Sequence, residues 1–135
     1  MKSIYAHSTH CVYNIGYHLI WCTKYRKKLI YGNVEHSLKR LVRYKCSSLG
    51  IAVGEVEVMP EHIHVFTHSR QILDPSHIMQ QLKGFTSHRI RQLYPSLQRK
   101  WGASALWSKS YFCESVGHIS QEIVQRYIAK QKLND

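Results

Sequence analysis

The sequence predicts an α+β fold with one antiparallel sheet and helices packed mainly on one face, in the ferredoxin-like or RRM-like arrangement. The order of the elements predicts the fold class, and two further observations predict a single domain. The apolar residues follow strand and helix periodicities in the order strand, helix, strand, strand, helix, strand, helix. The chain has 135 residues, enough for one domain with a buried core. It shows no internal repeat, low-complexity segment or linker, so we expect a single domain spanning residues 1–135.

The first half of the chain contains both periodicities. Apolar and polar residues alternate in the first segment, which ends in a basic run at 24–28. The next segment has apolar residues at helical spacing and stops at Gly50, a residue type that commonly follows helices. Two further apolar runs are joined by a turn at Pro60 and Glu61. These patterns predict a strand at 12–25, a helix at 33–49, and strands at 51–59 and 62–68.

The second half of the chain contains two helix starts. Asp74 and Pro75 fit the N-cap and first position of a helix that ends near Tyr94. Ser120 fits the N-cap of a last helix, which carries Tyr127. We expect the helix after Asp74 to bury Ile78, Leu82, Phe85 and Leu93. Between the two helices the pattern predicts a strand at 111–116, ended by Gly117.

The net charge of the chain indicates which class of molecule it binds. Lys and Arg number 19 against 8 Asp and Glu, which gives +11 with His neutral. This excess favours nucleic acid over an anionic membrane, because no stretch fits a basic amphipathic membrane helix or a membrane span. Residues 1–10 lack the apolar core of a signal peptide, so we expect a cytoplasmic protein. The four cysteines lack the spacing of a zinc ribbon or a disulfide framework.

Two histidines in one predicted strand form a candidate metal site. Alternate side chains of a strand share a face, so His62 and His64 lie together while Ile63 and Val65 face the opposite layer. Two imidazoles about 7 Å apart along the backbone can bind one divalent cation if a third ligand joins them. Roughly 0.7 such pairs are expected by chance in this composition, so a half-exposed pair of sheet histidines is the alternative.

A second candidate group lies on the last helix. Tyr127 and Gln131 are four residues apart and therefore on the same helical face. The Gln131 amide oxygen could complete a coordination shell for Mg²⁺ or Mn²⁺, and the Tyr127 phenol is a nucleophile once deprotonated. The alternative is an ordinary core or interface tyrosine, since the chain has nine Tyr.

Several motifs occur together along residues 12–132. They are Trp21-Cys22-Thr23-Lys24-Tyr25-Arg26-Lys27-Lys28, Met59-Pro60-Glu61-His62-Ile63-His64, Gln81-Leu82-Lys83-Gly84-Phe85-Thr86-Ser87, Leu106-Trp107-Ser108 with Tyr111-Phe112, Val116-Gly117, and Tyr127-Ile128 with Gln131. With these motifs, in this order, the chain resembles the single-tyrosine HUH transposases, the TnpA-type enzymes of minimal bacterial and archaeal insertion sequences. HUH denotes two histidines separated by a hydrophobic residue.

The resemblance implies a mechanism. His62, His64 and Gln131 would bind Mg²⁺ or Mn²⁺, and Tyr127 would attack a phosphodiester to form a 5′-phosphotyrosine and release a 3′-OH. Family members bind hairpin-containing single-stranded DNA and rejoin strands. They act as homodimers in which the tyrosine helix of one subunit completes the histidine site of the other, with Gly117 the candidate hinge here.

Basic and aromatic side chains are candidates for DNA contact. The candidates for phosphate contact are Lys24, Arg26, Lys27, Lys28, Lys83, Arg89 and Arg91, and those for base stacking are Tyr25, Phe85 and Trp107. A solvated basic face and ordinary core aromatics are the alternatives. Two other functions stay open: a non-catalytic nucleic-acid-binding regulator, and a replication-initiator-like HUH nickase. His68 shares a face with His64 but lies about 13 Å further along the strand, too far to join the same ion.

Overall fold

The computed structural model describes residues 6–7, 12–13, 15–69, 74–97 and 105–116. Two short 3₁₀ helices, Lys24–Arg26 and Pro95–Leu97, accompany the longer elements. In chain order the strands and α-helices are β1 (Ala6–His7), β2 (Val12–Tyr13), β3 (Ile15–Cys22), α1 (Gly32–Ser48), β4 (Ala52–Val58), β5 (His62–Ser69), α2 (Pro75–Leu93) and β6 (Phe112–Ser115).

The main sheet has four antiparallel strands in the order β4-β5-β3-β6. β1 and β2 form a separate antiparallel pair. The first and third strands of the β3-α1-β4-β5-α2-β6 unit are central and the helices lie on one side, as in the predicted ferredoxin-like arrangement, which is confirmed. The predicted last helix with Tyr127 lies outside the described residues, so that part stays a prediction.

The start and stop signals of the helices act as predicted. The Asp74 side chain accepts a hydrogen bond from the Ser76 backbone N–H at 3.0 Å, which caps α2. After α1, Gly50 adopts φ +73°, a left-handed conformation that costs glycine little. The N–H of the next residue, Ile51, donates a hydrogen bond to the Cys46 carbonyl at 2.8 Å, and β4 begins one residue later.

The core lies between the sheet and the two helices. Leu19 and Trp21 of β3 and Ile63 and Val65 of β5 face this layer and are buried. The helices contribute Leu38, Val42 and Cys46 from α1 and Ile78, Met79, Leu82 and Ile90 from α2. Burial raises the pKa of the Cys46 thiol to about 12, so this cysteine is an inert core residue. Neither helix is long and apolar enough to cross a membrane.

Two sequence predictions are wrong in detail. The strand predicted to reach residue 25 ends at Cys22, because Tyr25 (φ 61°) and Arg26 (φ 52°) turn the chain in the left-handed region. Phe85, predicted to be buried, is only half-buried, and Leu93, also predicted to be buried, is 47% exposed. It is the last residue of α2 and, with the half-buried Phe85, lines the groove between the outer surfaces of α1 and α2.

Candidate active site

His62 and His64 share the face of the sheet that is turned away from α1 and α2. They pair with Cys22 and Ile20 of β3, while Ile63 between them is in the core. Their ring centroids are 4.9 Å apart and the residues are 5% and 4% exposed. The pair is therefore buried and preassembled, unlike the half-exposed pair of sheet histidines that was the alternative.

His62 is oriented by the residue that precedes it. Its Nδ1–H donates a hydrogen bond to Glu61 Oε1 at 2.8 Å. The same carboxylate oxygen lies 4.0 Å from the Arg26 guanidinium. Since Nδ1 is engaged, a metal ion bound by His62 would be held through Nε2. A carboxylate behind a ligating imidazole fixes the ring and makes it a stronger ligand.

His64 is oriented by a residue from another strand, His18 of β3. His18 Nε2 lies 3.2 Å from His64 Nδ1, and the rings stack with centroids 5.4 Å apart. His18 is 1% exposed, and its burial lowers the pKa of the imidazole, which favours the neutral ring. Sequence reasoning assigned His18 no role, although it shares the strand parity of Ile20, the cross-strand neighbour of His64.

The two histidines fit a metal ion but do not complete its coordination. Each has its Nδ1 engaged, so a cation would be bound through Nε2 of each ring. His18 cannot be the third ligand through Nε2, which bonds to His64 instead. Across the described ranges no cluster of three His, Cys, Asp or Glu side chains is able to hold a metal. The predicted third ligand Gln131 lies outside the described residues, as do Tyr127 and the proposed hinge Gly117.

The basic run begins beside the histidine pair. The Thr23 N–H donates to the Glu61 carbonyl at 2.9 Å, and the Leu29 and Ile30 N–H groups donate to the Pro60 carbonyl at 3.0 Å. The loop at 23–30 is thereby tied to the turn that leads into His62. We call residues 24–28 the basic loop. Lys24 is half-buried and the other members are exposed: Tyr25, Arg26, Lys27 and Lys28.

The other residues predicted to contact DNA are dispersed. The Lys83 Nζ donates to the Ser108 carbonyl oxygen, and burial lowers the pKa of its ammonium. Arg89 lines the groove on the outer side of the helices, away from the histidine face, and Arg91 is half-buried. Trp107 is buried, and its Nε1–H donates to Thr86 Oγ1 at 2.9 Å, which fits an ordinary core aromatic.

Known proteins resemble this chain in sequence and in structure. The family described as "Transposase IS200 like" matches residues 11–131. The chain belongs to this family. It is 36% identical to the ISDra2 transposase TnpA of Deinococcus radiodurans over 121 residues, covering 89% of this chain and 86% of the relative. It is 27% identical to the transposase for insertion sequence element IS200 of Salmonella typhimurium over 126 residues, covering 93% and 82% respectively.

One solved structure agrees with this membership, and a second shares the fold. A candidate transposase from Deinococcus radiodurans superposes with a TM-score of 0.76 at 29% identity, covering 93% of this chain and 96% of that one. A REP-associated tyrosine transposase bound to a REP hairpin superposes with a TM-score of 0.56 at 12% identity, covering 89% and 67%, and shares the fold. The chain is thus a single-tyrosine HUH transposase of the IS200-like family, which confirms the resemblance.

Proposed function

We propose that this transposase is a metal-dependent single-strand DNA endonuclease and strand transferase with Tyr127 as its nucleophile. The observation that carries the proposal is the buried pair His62 and His64, with both Nδ1 atoms engaged and the basic loop beside it. A purely structural role does not require two buried imidazoles side by side, each with a partner at Nδ1. This arrangement argues against the non-catalytic regulator.

The proposed reaction has two transesterification steps. The phenolic oxygen of Tyr127 forms a bond to phosphorus, the bond from phosphorus to the 3′ oxygen breaks, and that oxygen leaves as a 3′-OH after taking a proton. A 3′-OH then attacks the 5′-phosphotyrosine and regenerates the phenol. Mg²⁺ or Mn²⁺, held by His62, His64 and Gln131, would withdraw charge from the scissile phosphate.

The proposed substrate is hairpin-containing single-stranded DNA from the element ends. One structural neighbour is bound to a REP hairpin, and this chain carries +11 of formal charge. The exposed cations of the basic loop lie next to the turn before His62, where they can contact phosphates without reading bases. Double-stranded DNA would present the scissile phosphate in a stiffer strand, so we expect weaker cleavage of perfect duplex.

We also propose that the active site is shared within a homodimer. Gly117 would let the Tyr127 helix leave its own sheet and complete the histidine site of a second subunit. Mixing Tyr127→Phe with His64→Ala subunits should then restore part of the cleavage, because each heterodimer contains one intact composite site. After demonstrated subunit exchange, a mixture as inactive as either variant alone would mean that each chain builds its own site.

The central experiment is covalent trapping. Labelled single strands from the DNA flanking the gene are incubated with the full-length protein and Mn²⁺, and adducts are resolved on a denaturing gel. We expect an adduct with the wild type, none with Tyr127→Phe, and equal DNA binding by both. Tyr111→Phe is the matched control and should retain the adduct. An adduct of normal yield from Tyr127→Phe would remove this residue from the mechanism, and wild-type binding without any adduct would favour the regulator.

A further inference from the structure

The His18 side chain packs against the His64 ring. β3 and β5 pair in antiparallel register, with Ile20 opposite His64 and His18 opposite Phe66, so the two imidazoles are diagonal neighbours on one face. Phe112 of β6 packs edge-on against the His18 ring, with centroids 6.4 Å apart. Two flanking strands therefore determine where His18 Nε2 lies.

The hydrogen bond between the two rings has one direction when His64 binds a cation. A metal on Nε2 leaves the proton of a neutral imidazole on Nδ1, so His64 must donate and His18 Nε2 must accept. His18 then carries its own proton on Nδ1. The opposite direction would put the His64 proton on Nε2, where it would block coordination. The 3.2 Å contact therefore supports the metal-binding tautomer of His64 when His18 accepts through Nε2.

The same logic already operates at His62, but through a carboxylate. Glu61 Oε1 accepts from His62 Nδ1–H and selects the tautomer with an available Nε2 lone pair. A negative carboxylate polarises the N–H group that it accepts from more than a neutral ring does. The pair would therefore consist of one strongly and one weakly polarised ligand.

We propose that His18 is a positioning residue, which holds the His64 ring in the orientation and tautomer that let it bind the catalytic metal ion through Nε2. This inference rests on the metal-dependent function proposed above. Partners of metal-ligating histidines typically change metal affinity by about 10- to 100-fold when they are removed. His18 itself touches neither the ion nor the substrate in this role.

The test compares two nearly isosteric replacements. His18→Gln keeps an acceptor near the position of Nε2, whereas His18→Met has a similar length and shape but no comparable acceptor. Mn²⁺ binding to the full-length protein is titrated by electron paramagnetic resonance, and thermal unfolding without metal reports on folding. We expect about 10- to 100-fold weaker Mn²⁺ binding for His18→Met and a change within about threefold for His18→Gln.

Further variants separate this inference from the proposed function. In a His64→Ala background, His18→Met should have little further effect, whereas in a His62→Ala background its effect should persist. Equal Mn²⁺ affinities of the Gln and Met variants would overturn the role of His18 while leaving the metal site intact. If neither His62→Ala nor His64→Ala weakens Mn²⁺ binding, the proposed metal site itself is wrong and the role of His18 falls with it.

A second measurement needs no variant and stays decisive if His18→Met fails to fold. Long-range ¹H–¹⁵N correlation spectra of wild-type protein labelled on histidine, recorded with saturating Mg²⁺, report which ring nitrogen carries the proton. We expect His64 to be protonated on Nδ1 and His18 to be protonated on Nδ1 with a bare Nε2. A His18 ring protonated on Nε2 would overturn the proposal.

Discussion

The two faces of the central strands hold different chemistry although both contain buried residues. On the helix-covered face, β3 and β5 contribute Leu19, Trp21, Ile63 and Val65 to the core. On the opposite face the same strands bury three imidazoles, those of His18, His62 and His64. Burying a polar ring is unfavourable unless its nitrogens find partners, whereas burying an aliphatic side chain stabilises the fold directly. The apolar residues on the helix-covered face therefore stabilise the fold, whereas burial of the histidines on the opposite face calls for a functional explanation.

The largest expected effect is the loss of DNA cleavage when a histidine on the sheet face opposite the helices is replaced. His64→Ala should lower cleavage about 10³-fold, equivalent to about 4 kcal/mol of transition-state stabilisation, because the proposed metal ion loses a ligand. The free energy of unfolding should fall by only about 1–2 kcal/mol, because the buried His18 ring loses its hydrogen bond to His64. Adduct formation rates and urea unfolding measure the two quantities. His68→Ala is the control, since His68 lies on the same strand face but too far along to join the ion. Cleavage by His64→Ala within tenfold of the wild type would contradict the assignment.

The next effect belongs to the helix-covered face. Ile63 lies between the two histidines in sequence but is fully buried in the core. Ile63→Ala should lower the free energy of unfolding by about 3 kcal/mol, because apolar burial is removed and a cavity is left behind. Below the unfolding transition, the cleavage rate per folded molecule should stay near that of the wild type. Urea unfolding and active-site titration test this. A destabilisation under about 1 kcal/mol would show that this face is not the main core.

A smaller effect is expected at the carboxylate behind His62. Glu61→Ala should weaken Mn²⁺ binding about tenfold, because the His62 ring loses the acceptor that fixes its Nδ1–H. Arg26→Ala removes only the exposed partner of the same carboxylate, at 4.0 Å, and should change Mn²⁺ affinity less than about twofold. Isothermal titration with Mn²⁺ distinguishes the two variants. Equal losses would mean that the local charge, rather than the hydrogen bond, matters.

The smallest effect concerns the basic loop. Removing one cation that neutralises a phosphate of single-stranded DNA should reduce the slope of log K against log salt by about 0.7. Replacing Lys27 and Lys28 together by Ala should therefore flatten the slope by up to about 1.4, with little effect on Mn²⁺ binding. Fluorescence anisotropy over a salt series measures the slope. Lys39→Ala and Arg40→Ala on α1 form the matched control pair, and an identical flattening there would make the loop's role non-specific.

Sequence reasoning predicted the fold where signals are local. The Asp74 cap, the Gly50 turn and the alternation that separates His62 from Ile63 all depend on residues within a few positions of one another. His18 escaped notice because its partner is 46 residues away, and the register that joins them exists only in the folded sheet. Strand periodicity likewise did not predict the left-handed turn at Tyr25, because the alternation of apolar and polar residues carries no information about backbone angles.

The proposed site shows the same division. The histidine pair could be predicted because both members lie in one strand. Tyr127, Gln131 and Gly117 lie outside the described residues, and their roles stay predictions that rest on the family. The exposed Leu93 shows why periodicity alone overextends a core. A helix keeps its apolar spacing to its last residue even where its neighbours no longer cover it.

The left-handed turn at Tyr25 and Arg26 has a consequence for the thermodynamics of DNA capture. Side chains other than glycine are disfavoured at positive φ, so the fold holds these two residues in a conformation that the free peptide rarely visits. The basic side chains around them therefore extend from a backbone whose conformation is fixed before any DNA strand binds. If the basic loop contacts DNA as proposed, ordering this backbone would cost little on binding, and most of the entropy loss that weakens binding by flexible basic segments would be avoided.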